Sequence, residues 1–109
     1  MITDKEQLFA AFPKKTITLQ VPGVDGLSMV FQELSVKDKI DYGQFAQKEG
    51  IHSLDLAGFV IARSAEVLSD DDAPRIVSSL SVEALVHFSK EVLKLSGMHE
   101  AAAEEAEKN

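Results

Sequence analysis

Ser53, Leu54 and Asp55 open an apolar stretch, SLDLAGFVIARSAEVL, and offer the most readable chemistry in the chain. A serine hydroxyl at the head of a helix either caps an orphan backbone N–H or stands free to carry a covalently attached group. Asp70, Asp71 and Asp72 form a second cluster, three carboxylates in a row. A calcium loop of the EF type alternates its ligands around a central glycine and ends on a distal glutamate, and none of that follows here. Three acids ahead of Ala73 and Pro74 are instead what a helix start favours. His52, His87 and His99 show no spacing that would place two imidazoles on one helix face, and no HExxH pair exists. A serine triad lacks any GxSxG elbow to position it. The six glycines form neither GxGxxG nor a P-loop. Composition therefore points to no catalytic residue, no metal ligand and no cofactor, and the chain reads as a binding protein rather than an enzyme.

The Ser53 trio resembles the site at which acyl or peptidyl carrier proteins hold phosphopantetheine, and DDDAPRIVSSLSVEAL is similar to the end of such a domain. Carrier proteins place Asp immediately before the modified serine, whereas His52 stands there. They are also bundles with a long first helix, whereas residues 16–34 alternate as strands. An N-cap role explains Ser53 more simply, and the carrier reading is the alternative. An acidic adaptor or inhibitor that imitates nucleic acid is a third class. It needs acids along one exposed face, and several of these acids sit where helix starts require them.

The elements that must position these residues follow from the totals and the pattern. The chain has 109 residues, enough for one domain with a modest core. Apolar residues make up 45% and charged residues 27%, a globular balance. The absence of cysteine removes disulfides and thiolate chemistry. No run approaches a membrane span and the start, MITDKEQLF, is too polar for a signal peptide, so a cytoplasmic protein is expected. A net charge of −7 argues against nucleic acid or an anionic membrane as partner. Lys14-Lys15 and the Lys37/Lys39 pair are too few for a basic stripe. Residues 100–109 carry −3 of that charge, which leaves −4 for the other 99.

Residues 3–12 read as a short amphipathic helix capped by Thr3 or Asp4 and stopped at Pro13. TITLQV alternates Ile17, Leu19 and Val21 against polar neighbours. PGVDG then turns the chain, and LSMVFQEL alternates through Leu27, Met29 and Phe31, so a β-hairpin is predicted. Two strands are marginal alone and need a helix or a neighbouring subunit over their apolar face. Ser35 with Asp38 three residues later resembles a capping box, with Asp in place of the usual Glu or Gln, for a helix whose apolar side is Ile40 and Phe45, with Tyr42 as a further candidate. The stretch after Ser53 is apolar on nearly every face, which marks a central helix. A helix with Ile76, Val77 and Leu80 follows the aspartates. Ser81 caps a last one whose stripe is Val82, Leu85, Val86, Val92 and Leu93, widened by Phe88 and Leu95 and ended at Gly97. The fold class is α+β, mainly α: a short N-terminal hairpin followed by a bundle of about four helices. Residues 1–15 are an N-terminal helical arm, 16–97 a single domain, and 98–109 an acidic tail expected to be mobile.

This order of elements resembles the tail assembly chaperones of long-tailed bacteriophages and prophages. The likeness rests on Glu33-Leu34-Ser35 with Asp38 after the hairpin, Asp70-Asp71-Asp72, Ser78-Ser79-Leu80-Ser81, and Leu95-Ser96-Gly97. It spans about residues 16–98 and is a diffuse pattern. Many relatives carry an Asp-x-x-Gly turn before the Asp-rich start, where this chain has Ala65-Glu66-Val67-Leu68, which leaves the geometry of that loop open.

The resemblance implies a non-enzymatic protein of the host bacterial cytoplasm, absent from the mature virion. Such proteins bind and solubilise the tape measure protein and help recruit the tail tube protein. A helical protein with an apolar groove can shield the exposed stripe of a long helical client, and repeated use along a rod favours a homo-oligomer. Leu27, Met29 and Phe31 are the candidates for subunit contact, and Phe88, Val92 and Leu95 for client binding. Core packing is the simpler expectation for each. These chaperones are often made in two lengths by −1 ribosomal slippage. Glu107-Lys108-Asn109 permits a slippery codon run, so the tail would link to a second, tube-recruiting domain in a longer frameshifted form.

Overall fold

A computed structural model describes residues 1–98. The tail expected at 98–109, apart from Met98, lies outside the described residues, as does the 107–109 segment of the slippage reading. The elements run α1 (Lys5–Ala10), β1 (Thr16–Gln20), β2 (Ser28–Gln32), α2 (Val36–Ala46), α3 (Ser53–Ser64), α4 (Ala73–Ser79) and α5 (Val82–Leu95). A 3₁₀ turn at Asp70–Asp72 leads into α4. The chain is thus α+β and mainly α, with an N-terminal hairpin ahead of a helical layer.

Alternation in TITLQ and SMVFQ produces the hairpin. The strands pair antiparallel with Thr16 opposite Gln32 and Gln20 opposite Ser28. Gly23 and Gly26 turn the chain at φ +80° and +77°, a region that costs glycine nothing. Val21 N–H donates to the Leu27 carbonyl at 2.8 Å, and Glu33 N–H donates to the Lys15 carbonyl at 2.8 Å. Those two bonds bracket the ladder and set its phase. Residues 15, 17, 19 and 21 turn their backbone groups toward β2, and Thr16, Thr18 and Gln20 turn theirs outward. The outer edge of β2 is partly covered. Phe31 forms a bridge with Ala65, and Glu66 N–H donates to the Val30 carbonyl at 3.1 Å. Ala65 and Glu66 therefore cover part of the outer edge of β2, and the chain then turns away, with Leu68 N–H donating to the Ala65 carbonyl at 3.2 Å.

α3 is the centre. It buries Ala57, Gly58, Val60, Ile61, Ala62 and Ser64, and it packs against α5, α4, α2 and β2. Phe31 from the hairpin and Phe88 from α5 meet beneath it with ring centroids 5.0 Å apart at 41°. Such a tilted pair adds to the burial of both rings. Gly58 lets α4 approach: a Cβ there would lie 2.5 Å from Val77 Cγ2.

The caps match the sequence with one correction. Asp4 caps α1, Ser81 caps α5, and Ser35 with Asp38 forms the expected reciprocal box on α2. On α3 the cap is His52, not Ser53. Its Nδ1 accepts from Leu54 N–H at 3.1 Å, while Asp55 accepts from His52 N–H at 3.0 Å. Asp55 sits at the third helical position, and a reciprocal box closes on the residue three before it, which is His52. α5 ends in a Schellman motif. Met98 N–H donates to the Leu93 carbonyl at 2.7 Å and Gly97 N–H to that of Lys94, with Gly97 at φ +77°.

Candidate functional site

The six candidate contact residues separate sharply by burial. Phe31, Phe88 and Val92 are buried to 1% exposure or less and form the centre of the core. No partner can touch them in the folded chain, so they leave the set of docking residues. The helix stripe that made Phe88 and Val92 conspicuous is the face α5 turns toward α3. Met29 and Leu95 are half-buried, and Leu27 is 52% exposed beside the hairpin turn. Other apolar residues expected in the stripes face water instead: Ile40 on α2, and Val82 and Val86 on α5. Their positions lie at the margins of each stripe, where helical spacing alone does not decide burial.

Of the surface depressions among the described residues, two border the hairpin and have partly apolar walls. One, of about 270 Å³, runs between the hairpin, α3 and α4 and is lined by Met29, Ile61, Leu68, Ile76 and Leu80, with Asp72 and Arg75 at its rim. The other, of about 560 Å³, lies between the hairpin turn and α5, where Val21, Val24 and Val86 meet Asp25, Glu83 and Lys90.

The acidic cluster is absorbed into structure. Arg63, in the last turn of α3, donates through Nη1 to Asp38 at 3.0 Å and Asp41 at 2.9 Å, and through Nε to Asp70 at 2.6 Å. Its guanidinium lies 4.8 Å from the centre of the Phe59 ring. One cation thus ties α2, α3 and the turn before α4 together. Partial burial raises the Asp38 carboxyl, but the Ser35 N–H and the Arg63 guanidinium outweigh it and hold the group below its ordinary value. Hydrogen bonds from Arg63, then Lys37, hold Asp41 low as well. Burial pushes the Tyr42 hydroxyl up. Asp72 accepts from Ser69 N–H at 2.9 Å, and Asp71 is exposed. Sequence reasoning did not find the Arg63 cluster. The signal was present as Asp38 and Asp41 one helical turn apart, but only the packing of α2 on α3 brings an arginine to them.

A second missed link is Ser96. Its hydroxyl donates to the Val92 carbonyl at 2.8 Å and accepts from Leu34 N–H at 2.8 Å, in a buried position. It joins the exit of β2 to the end of α5. Ser53 occupies the first position of α3 and is exposed. His87 is half-buried against Phe88, with ring centroids 5.8 Å apart. His99 lies outside the described residues. Among the described residues no three His, Asp or Glu side chains form a metal-holding group, and no helix is long and apolar enough to cross a membrane. No protein-family model, curated protein or solved structure matches this chain.

What the surface offers is binding chemistry. An uncharged strand edge, two grooves with partly apolar walls, and an N-terminal arm whose apolar residues stay exposed are all suited to protein contact.

Proposed function

We propose that this protein is a non-enzymatic tail assembly chaperone of a long-tailed phage or prophage. On this reading it acts in the bacterial cytoplasm on the tape measure protein and is absent from the finished virion. The observation that supports the reading is the order of its elements. A hairpin ends in a Glu-Leu-Ser start with a complete Ser35–Asp38 capping box, an Asp-rich turn opens α4, and a Leu-Ser-Gly motif closes α5. A client helix would enter the groove whose partly exposed apolar wall is Met29, Leu68 and Leu80, above the buried Ile61 and Ile76, because an apolar ridge on the client excludes water there. The net charge of −7 keeps many copies soluble along one client. Recruitment of tail tube protein would fall to a longer frameshifted form.

The test is co-expression with the large helical protein encoded just downstream in the same genome. The chaperone reading expects that protein to become soluble and to co-purify only when this chain is present. A genome with no such gene nearby, or a client that stays insoluble, counts against it. Ser53 then returns as the lead. Incubation with a phosphopantetheinyl transferase and coenzyme A, followed by intact mass, tests the carrier alternative directly. The codons for residues 107–109 decide the frameshift: without a slippery heptamer and an overlapping −1 frame, that part is withdrawn.

A further inference from the structure

We infer that the outer edge of β1 is a self-pairing surface. Two copies would join edge to edge across a two-fold axis at Thr18, with each N-terminal arm crossing onto the other copy's groove beside the hairpin turn.

The hairpin has two edges, and the fold treats them differently. Residues 65 and 66 lie against β2. Nothing among the described residues hydrogen-bonds the outward N–H and C=O groups of Thr16, Thr18 and Gln20. A strand edge left open is normally defended by charge, proline or a bulge, and TITLQ carries none of these. The edge also complements itself. In an antiparallel pair centred on Thr18, residues whose numbers sum to 36 stand opposite each other. Thr18 then meets Thr18 of the second copy, and Thr16 meets Gln20, polar against polar on the exposed face. Ile17 meets Leu19 on the half-buried face, where each still has apolar surface to cover. The outward backbone groups of 16, 18 and 20 are the ones this register pairs, so two marginal hairpins become one four-stranded sheet.

The arm gives an independent reason for the same partner. α1 is six residues long and buries none of them, although Phe9 and Phe12 are 65% and 76% exposed. A helix this short is not stable on propensity alone and needs a surface to lie on. The register supplies one. It sets Lys15 beside Val21 of the second copy and brings Phe12 to the end where that copy's hairpin turn and its groove with Val24 and Val86 lie. Lys15 arrives near Asp25 and Glu83, which line the groove with Lys90, while Lys14 lies within electrostatic reach of Asp38 in its own copy. The sheet edge and the arm thus select one occupant, a second copy of the chain.

The test uses the full chain alone, without any client, so its outcome is separate from that of the chaperone reading. Light scattering after gel filtration, run over a concentration series, should give a dimer. Thr18→Pro removes only an outward N–H, keeps the hairpin's own ladder, and should yield a monomer with an unchanged helical spectrum. Because the chain has no cysteine, Thr18→Cys should give a covalent dimer on mild oxidation, while Thr16→Cys and Ser28→Cys should not. Phe12→Ser should raise the concentration of half-dissociation by roughly tenfold, the loss of one buried aromatic contact. A wild-type monomer at every concentration would overturn the proposal. So would a dimer that survives Thr18→Pro, or one in which Thr18→Cys fails to cross-link. If Thr18→Pro does not fold, the cysteine series alone decides.

Discussion

α1 and α3 begin alike and end in opposite environments. Each opens on a side-chain cap, Asp4 for one and His52 for the other, and each carries aromatic or branched apolar residues at helical spacing. α3 is enclosed by α2, α4, α5 and β2 and buries half its residues. α1 buries none. A cap and a stripe specify where a helix starts and which side is sticky, but stability comes from the surface that meets the stripe. α3 finds that surface within the chain. The arm must find it elsewhere, which is why the two helices should respond so differently to the same kind of change.

The largest contrast is aromatic truncation. Phe88→Ala, beneath α3, should cost about 3–5 kcal/mol by chemical denaturation, from the lost ring and the cavity it leaves. Phe9→Ala in the arm should change the unfolding free energy of a single chain by less than about 0.5 kcal/mol. A large loss from Phe9→Ala in a monomer would mean the arm folds back on its own body, and the contrast would collapse.

Intermediate effects sharpen what encloses α3. Arg63→Met should cost about 1–2 kcal/mol near neutral pH, since it removes charge-assisted bonds and leaves three carboxylates facing each other. Its pH dependence has a definite sign. Asp38 and Asp41 are held below their ordinary value of 3.8, so folding favours their charged forms. That stabilisation is fully present above the ordinary carboxylate value and is lost as pH falls through the lower folded values. Thermal melts from neutral pH downward should therefore show a steeper acid loss in the parent chain than in Arg63→Met. Equal slopes would mean that the cluster holds geometry without coupling to protonation.

Ser96→Ala should cost about 1–2 kcal/mol, because the Leu34 N–H it abandons is buried. Threonine, which keeps the hydroxyl, should recover part of that loss. Gly58→Ala sets a helix-propensity gain of up to ~1 kcal/mol against an overpacking cost of about 1–3 kcal/mol, since Val77 is stiff and must move. A net loss near 1 kcal/mol is expected. A stabilised variant would show that α4 can slide away from α3 at little cost.

Much of this architecture was readable in advance because it is local. Alternation in 16–20 and 28–32 depends on the two-residue period of a strand, and Gly23 and Gly26 stand where left-handed backbone is needed. Ser35 with Asp38 and Ser81 ahead of α5 act within one turn of their own positions. The Ser53 cap was misplaced by one residue because His is an uncommon cap and the partner Asp55 suits either reading until its geometry is seen. Phe31, Phe88 and Val92 follow the simpler expectation of core packing, and spacing alone could not have separated that from partner contact. Spacing identifies an apolar stripe, and Phe88, Val92 and Leu95 lie on one. Whether a stripe faces the core or a partner depends on what other segments supply.

The sequence by itself determined the element order, most of the caps and turns, the strand period, and the lack of cysteine chemistry, because each is set by residues within a few positions of one another. Tertiary structure alone decided that Phe31 meets Phe88, that Arg63 collects Asp38, Asp41 and Asp70, and that Ser96 holds Leu34. It also decided that residues 65 and 66 cover β2 while β1 stays open. These pairings join residues 22 to 62 positions apart, apart from the nearby Asp70. Local propensity carries no information at that range, and only the competition for a shared core selects among the possible partners.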